Sequence, residues 1–202
     1  MMTGLAVLAA AYILGAIPFG YVLVRWKTGK DVRGAGSGNI GATNVLRTTG
    51  RVAGVATLLL DVGKGYLAVW LAGRLTHEDA LWMAGAALAV MAGHAYPVFL
   101  RFRGGKAVAS FIGAFLCLTP LPMVCILLVF VGVVAATRHI SMGSIVAAIV
   151  FPLGVWLVQK PPIAVELAAG AAAAFVVNRH RENLERLHRG EERVFRFGGD
   201  GR

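Results

Sequence analysis

TGLAVLAAAYILGAIPFGYVLV (residues 3–24) runs without a charged side chain. A helix needs about 20 mostly apolar residues to cross the ~30 Å hydrocarbon core of a bilayer, and this stretch is long enough. No basic residue precedes it and no clear small-residue cleavage site follows. The first positive charges, Arg25 and Lys27, come afterwards. The stretch therefore reads as a retained first membrane span and not as a signal peptide.

The rest of the chain repeats the pattern. Hydrophobic residues make up 57% of the sequence, charged residues 15%, and the mean hydropathy is +0.71. A soluble domain would carry roughly 25% charge. Apolar runs at 3–24, 52–73, 80–100, 107–120, 121–137, 141–158 and 161–178 predict an all-α integral membrane protein. The expected architecture is one domain over 1–202, a compact bundle of about seven transmembrane helices with a tail at 179–202. Six spans, or five with re-entrant pieces, are the alternatives. Pro120 and Pro122 are expected to bracket a turn between the fourth and fifth spans, because proline cannot continue a helix interior without losing a hydrogen bond. The final residues, 196–202, are expected to fray.

Lys and Arg set the orientation. Arg25, Lys27, Lys30, Arg33, Arg47 and Arg51 follow the first span, Arg101, Arg103 and Lys106 the third, Arg138 the fifth, and a basic tail the seventh. The alternate loops hold only Arg74 and Lys160. The N-terminus is therefore expected outside and the C-terminus in the cytoplasm. A net charge of +10 distributed in this way suits an anionic lipid surface or an anionic substrate better than nucleic acid. Cys117 and Cys125 lie in apolar segments and read as packing residues.

Every polar motif falls on the side expected to face the cytoplasm. GSGNIGATN (36–44) is glycine-rich and dense in donors. Glycine lets backbone amides turn toward one point, and Ser37, Asn39, Thr43 and Asn44 add side-chain groups, a combination suited to phosphate. A plain interhelical loop is the other reading. RFRGGK (101–106) brings Gly104, Gly105 and Lys106 to the next loop without the remaining residues of a Walker A motif. Arg101 and Arg103 are either anion ligands or topology anchors. Asp61 and Lys64, in LLLDVGKGYL (58–67), are neighbours on one helix face at i,i+3. Charges at that depth are costly and usually paired. They form either a structural ion pair or a shell supporting the phosphate site. His94, in AGHAYPVF (92–99), reads first as a hydrogen-bonded packing residue. His180, Arg181, Glu182 and Asn183 lie in NRHRENLERL (178–187), where a solvated tail is the plain reading. Arg47, Lys106, Arg179 and His180 could gather into one basic patch. No GxSxG elbow, serine triad or metal-ligand spacing is apparent, so no metal or cofactor is expected.

SGNIGATN, LLLDVGKG, GHAYPVFLRFRGGKAVAS and NRHRENLERLHRGEE, in this order, closely resemble the PlsY family of bacterial membrane glycerol-3-phosphate acyltransferases. The likeness runs from the first span to about Glu192. Two positions depart from it: Ala107 stands where the family usually has the last glycine of Gly-Gly-Lys-Gly, and His139 stands in place of an aromatic such as tyrosine. The resemblance implies acyl transfer from acyl phosphate to glycerol 3-phosphate, giving 1-acyl-glycerol 3-phosphate (lysophosphatidic acid) and phosphate in phospholipid synthesis. It further implies a multi-pass protein of the bacterial cytoplasmic (inner) membrane, with its active site toward the cytoplasm. Ser37, Arg47, Lys106, His180 and Asn183 match residues expected to bind glycerol 3-phosphate and serve catalysis. Gly38, Asn39, Gly41, Thr43, Asn44, Gly104 and Gly105 would hold the phosphoryl end of the donor, with Asp61, Lys64 and His94 in support. The partners implied are the two substrates and membrane lipids, with neither nucleic acid nor an obligate protein partner.

An acyl phosphate is a mixed anhydride, already electrophilic and equipped with a good leaving group. Catalysis then reduces mainly to positioning and charge stabilisation. The attacking hydroxyl can release its proton to the donor phosphate, or to His180 acting as base. A small anion transporter and a scaffold subunit are the rival classes. The gathering of polar motifs on one face argues against the transporter, because alternating access requires polar lining toward both sides.

Overall fold

The computed structural model describes residues 1–195, and the terminal stretch expected to fray lies outside them. Among the described residues the chain is all-α. It divides into two compact units, Met1–Cys117 and Leu118–Arg202.

The first unit contains α1 (Met2–Ala16), α2 (Phe19–Thr28), α3 (Ala42–Thr49), α4 (Arg51–Thr76), α5 (Ala80–Ala95) and α6 (Val108–Leu118), which ends at the boundary. Short 3-10 turns form at Val32–Gly34 and Val98–Leu100. The first expected span is a broken helix. Pro18 has no amide hydrogen and disfavours helical geometry at the residue before it, and Ile17 accordingly takes φ −63°, ψ 114°. The Ile17 carbonyl released by the break accepts from the Lys64 ammonium at 2.8 Å and from the Phe19 amide at 3.2 Å. The ammonium also lies 5.6 Å from the Phe19 ring centroid.

In α4 the usual burial pattern is inverted. Leu58, Leu59, Leu60, Leu67 and Leu71 are exposed, while Asp61, Lys64, Ala68 and Ala72 share a buried face. An apolar exterior around a polar interior is what a lipid solvent selects, since a charge left facing hydrocarbon would lose all hydration. α1 packs against α4 and α5, and α4 against α5.

The second unit contains α7 (Pro120–Thr137), α8 (Ile140–Val158), α9 (Ile163–Arg179) and α10 (Arg181–His188), with α8 packed against both α7 and α9. The two prolines expected to bracket a turn instead open α7, where the first turn needs no intrahelical amide donor and so tolerates proline. Thr119 alone links α6 to α7. Cys117 is half-buried and Cys125 is exposed, so Cys125 is not the interior packing residue expected; both thiols are free.

Five segments are long and apolar enough to cross a membrane: Met2–Thr28 with its break, Arg51–Thr76, Ala80–Leu100, Pro120–Thr137 and Ile140–Val158. The expected fourth span corresponds to α6, whose 11 residues rise only about 16 Å, half a bilayer core. The seventh corresponds to the 17 residues of α9.

Candidate active site

The first glycine-rich motif is half loop and half helix. Residues 35–41 form the loop, Gly41 caps α3, and Thr43 and Asn44 occupy the first helical turn. Asn44 is buried at 2% exposure and organises the loop from beneath. Its Oδ1 accepts from the Ser37 amide at 2.8 Å, and its Nδ2 donates to the carbonyls of Asn39, Ala35 and Val32 at 2.8, 3.1 and 3.3 Å. With both amide hydrogens engaged, Asn44 shapes the loop and does not line its open face. Gly36 runs at φ +60°, where a Cβ would strike Asn44 Oδ1; only glycine fits.

The expected fan of free amides is also smaller than the sequence suggests. The Gly38 amide donates to Ala35 O at 3.0 Å, and the Gly41 amide donates to Asn39 Oδ1 at 2.8 Å. The amides of Ala42 and Thr43, in the first turn of α3, have no acceptor within the helix. Ser37 and Arg47 are exposed, and neither side chain hydrogen-bonds to another described residue. Arg33, by contrast, is engaged locally. It binds Asp31 at 2.7 Å and lies over the Tyr21 ring at 5.3 Å. Its hydrogen bond holds the Asp31 carboxyl below the usual carboxylate range.

The second motif folds back on α5. The Gly104 amide donates to Ala95 O at 3.2 Å and the Gly105 amide to His94 O at 3.1 Å, satisfying carbonyls that the end of α5 leaves open. Arg101 and Arg103 are exposed, Gly105 is buried and Lys106 is half-buried. Ala107 takes φ +61°, in the left-handed region that favours glycine. A left-handed non-glycine residue costs about 1–2 kcal/mol. The buried methyl returns about 0.8 kcal/mol, and alanine's stiffer unfolded chain returns about 0.4–1 kcal/mol. These terms nearly cancel, so the departure is tolerable.

One hydrophobic cluster joins the two motifs. Leu100, adjacent to Arg101, packs with Val32, Ile40 and Val45 of the first motif and with Val24 and Ala53. Both glycine-bearing turns therefore lie at one end of the first unit.

Beneath the second motif lies a buried polar group. Lys64 Nζ sits 2.8 Å from Asp61 Oδ1, and His94 Nδ1 lies 3.5 Å from the same oxygen. The ion pair raised by the sequence is present. Ser110, which the sequence did not single out, completes the group: its hydroxyl donates to Asp61 O at 3.2 Å and contacts His94 Nδ1 at 3.3 Å. A lone small polar residue at the start of an apolar helix was the available signal.

In the second unit His180 is buried at the junction of α9 and α10, with Nδ1 2.8 Å from Val176 O. A carbonyl only accepts, so Nδ1 carries a hydrogen, and in the neutral form of the ring Nε2 is the acceptor atom. Asn183 is buried as well, and its Nδ2 donates to Glu192 Oε1 at 2.6 Å. Glu192 also accepts from Ser141 Oγ at 2.9 Å and Arg186 Nε at 2.8 Å. The sequence reading counted this glutamate only within the tail. Arg181 and Glu182 are exposed, and His139 precedes α8 with Nδ1 2.7 Å from Thr137 O.

Burial raises the Glu192 pKa, but the hydrogen bonds from Asn183, Arg186 and Ser141 outweigh it and hold the carboxyl below the ordinary glutamate range. A depressed folded-state pKa stabilises the fold above the unfolded value and loses that contribution as pH falls through the folded one. The anchorage of the tail is therefore expected to be intact at neutral pH and to weaken only in acid below the glutamate range. Hydrogen exchange of the 183–195 amides across pH checks this. Glu192→Gln should remove the acid dependence; an unchanged profile would contradict it.

The chain as a whole is similar to known proteins. A sequence model of the glycerol-3-phosphate acyltransferase family matches residues 5–190. The glycerol-3-phosphate acyltransferase of Geobacter sulfurreducens is 47% identical over 196 residues, spanning 97% of this chain and 100% of its own. That of Anaeromyxobacter sp. is 45% identical, spanning 96% and 97%. The crystal structure of PlsY, an integral membrane glycerol 3-phosphate acyltransferase, in its glycerol 3-phosphate form aligns with a TM-score of 0.91 at 37% identity, covering 96% of each chain. Its lysophosphatidic acid form gives 0.88 at 36% identity, covering 96% of this chain and 95% of that one. A match across nearly the whole length places the chain: it belongs to the PlsY family of integral membrane glycerol-3-phosphate acyltransferases.

Proposed function

We propose that the protein transfers an acyl group from acyl phosphate to the primary hydroxyl of glycerol 3-phosphate, releasing 1-acyl-glycerol 3-phosphate and inorganic phosphate. The observation that carries this reading is the shared cluster of Leu100 with Val32, Ile40 and Val45, which sets two donor-rich, cationic turns at one end of the first unit. Two phosphate-bearing substrates need that concentration of donors and positive charge.

Ser37, Arg47, Lys106, His180 and Asn183 are assigned to glycerol 3-phosphate. Gly38, Asn39, Gly41, Thr43, Gly104 and Gly105 are assigned to the donor's phosphoryl end, with Asn44 shaping the first of the two loops, at 35–41. The hydroxyl oxygen bonds to the acyl carbon, the carbon–oxygen bond to phosphate breaks, and the hydroxyl proton leaves with the phosphate. Lys106 and Arg47 offset the charge of two phosphates held close together, so most of the rate gain comes from positioning and charge stabilisation.

The rival proton route has its own support, because Nδ1 bonding to Val176 O leaves His180 Nε2 as an acceptor. His180→Gln separates the two routes. A raised KM alone fits substrate binding, whereas a collapse of kcat with loss of the acidic pH limb fits base catalysis.

We place the chain as one acyltransferase domain, since the family match at residues 5–190 runs through both units. In this reading seven segments span the bacterial inner membrane, the N-terminus is outside, and the glycine turns and tail are cytoplasmic. The Lys and Arg asymmetry of the loops supports that orientation. Glycerol 3-phosphate then arrives from the cytoplasm and the acyl chain from the lipid, with neither a metal nor a protein partner required. The purified chain, reconstituted alone, is expected to make lysophosphatidic acid from synthetic acyl phosphate and not from acyl-CoA. Turnover with acyl-CoA but not acyl phosphate would refute the donor assignment.

A further inference from the structure

The group formed by Asp61, Lys64, His94 and Ser110 touches no open surface, so its polar atoms have no direct business with a soluble substrate. All four residues are buried, at 2%, 3%, 3% and 0% exposure. An ion pair in such a place is weak evidence for stability, because desolvation offsets most of its attraction. Its geometry connects it instead to the glycine turn above.

The connection runs through the His94 ring. Ser110 has one hydroxyl hydrogen and directs it to Asp61 O, so at His94 it accepts, and Nδ1 carries the ring hydrogen. Nδ1 lies 3.3 Å from Ser110 Oγ, its hydrogen-bond partner, and 3.5 Å from Asp61 Oδ1, and these two contacts hold the plane of the imidazole. Lys64 in turn holds Asp61 Oδ1 and is itself tied to Ile17 O. The far edge of the ring forms the floor under Gly105. A Cβ built there would collide with the imidazole, whose Nε2, Cδ2 and Cε1 are its three nearest atoms. Gly105 is hydrogen-bonded through its amide to the His94 carbonyl, so the same residue holds the turn from its backbone and supports it with its side chain. Lys106 is the next residue along.

We propose that Asp61, Lys64, His94 and Ser110 are positioning residues for the Gly104–Gly105–Lys106 turn. The locked His94 ring sets the height of Gly105 and thereby the place from which the Lys106 ammonium reaches the substrate phosphate. This rests on the reading of Lys106 as an anion ligand and adds what aims it.

The test is a double-mutant cycle on the full-length chain in phospholipid vesicles, with glycerol 3-phosphate titrated at saturating acyl phosphate. Gly105→Ala and His94→Ala are each expected to raise KM between about ten- and a hundredfold, the range in which small misplacements act. Once the ring is gone the added methyl has room, so Gly105→Ala on the His94→Ala background should raise KM no further. Ser110→Ala, which removes a single oxygen and guards against a His94 variant that does not fold, should raise KM severalfold at an unchanged thermal midpoint. Multiplicative effects in the double variant would overturn the proposal. So would an unchanged KM in Ser110→Ala and His94→Ala accompanied by a lowered midpoint, since the group would then be scaffolding only. Lys106→Met reports on the underlying reading. If it retains full activity, Lys106 is no ligand and both ideas fall; if it loses activity while the cycle is multiplicative, only the positioning role fails.

Discussion

Replacing Lys106 with methionine is expected to lower kcat/KM for glycerol 3-phosphate by about 10²–10³-fold while leaving the thermal midpoint nearly unchanged. Losing one partner of a desolvated charge pair costs about 2–5 kcal/mol, much of it from the partner left unpaired. Each 1.4 kcal/mol is about tenfold in rate. Lys106 is half-buried and lies between helices, so the thermal midpoint is read alongside the kinetics to separate lost binding from lost fold. Lys106→Arg should recover part of the loss, because guanidinium keeps the charge but spreads it over a larger planar fork. Steady-state titration of both substrates decides the matter. A variant with near-normal kcat/KM would remove Lys106 from the anion site.

The second large effect concerns stability. Lys64→Met is expected to lower the thermal midpoint by roughly 6–20 °C. Removing one member of a buried pair costs about 3–5 kcal/mol, and in a chain of this size each kcal/mol moves the midpoint by about 2–4 °C. Two losses act together: Asp61 keeps a charge with its ammonium partner gone, and Ile17 O loses the nearer of its two donors, keeping only the Phe19 amide. The paired variant Asp61→Asn/Lys64→Met discriminates between them. It removes the stranded charge but not the carbonyl's loss, which is worth about 1–3 kcal/mol. The double variant should therefore regain a large part of the drop but not all of it. Equal midpoints for the single and double variants would show that the pair's electrostatics contribute nothing.

The helical elements were legible because hydrocarbon imposes long apolar runs. From 52–73 to α4, and from 141–158 to α8, the ends agree within a few residues. The breaks were harder to read. Pro18 sits inside an unbroken apolar run, and hydropathy does not register a missing amide hydrogen; the answering ammonium lies 47 residues away. Pro120 and Pro122 raised the opposite difficulty, since proline marks both turns and first helical turns, and only the backbone distinguishes them.

At the site, the residue types and their clustering were visible in the sequence, but their division of labour was not. Asn39 and Asn44 look alike in SGNIGATN. One accepts from an amide in the loop's own turn, while the other is buried beneath the loop and holds three of its backbone groups together with the Val32 carbonyl of the turn before it. Ser110 and Glu192 escaped notice for a similar reason. Each acts through contacts that join distant parts of the sequence, Ser110 to Asp61 and Glu192 to Ser141.

The tie between Lys64 and Ile17 also bears on biogenesis. At roughly 5–20 residues per second, a ribosome needs about 2–9 s to synthesise the intervening stretch. Throughout that interval the Ile17 carbonyl of the nascent first helix has only the Phe19 amide to answer it, at 3.2 Å, and lacks the ammonium. Its final seating must therefore wait for α4, and until then the break is best accommodated where water or the insertion machinery can satisfy it.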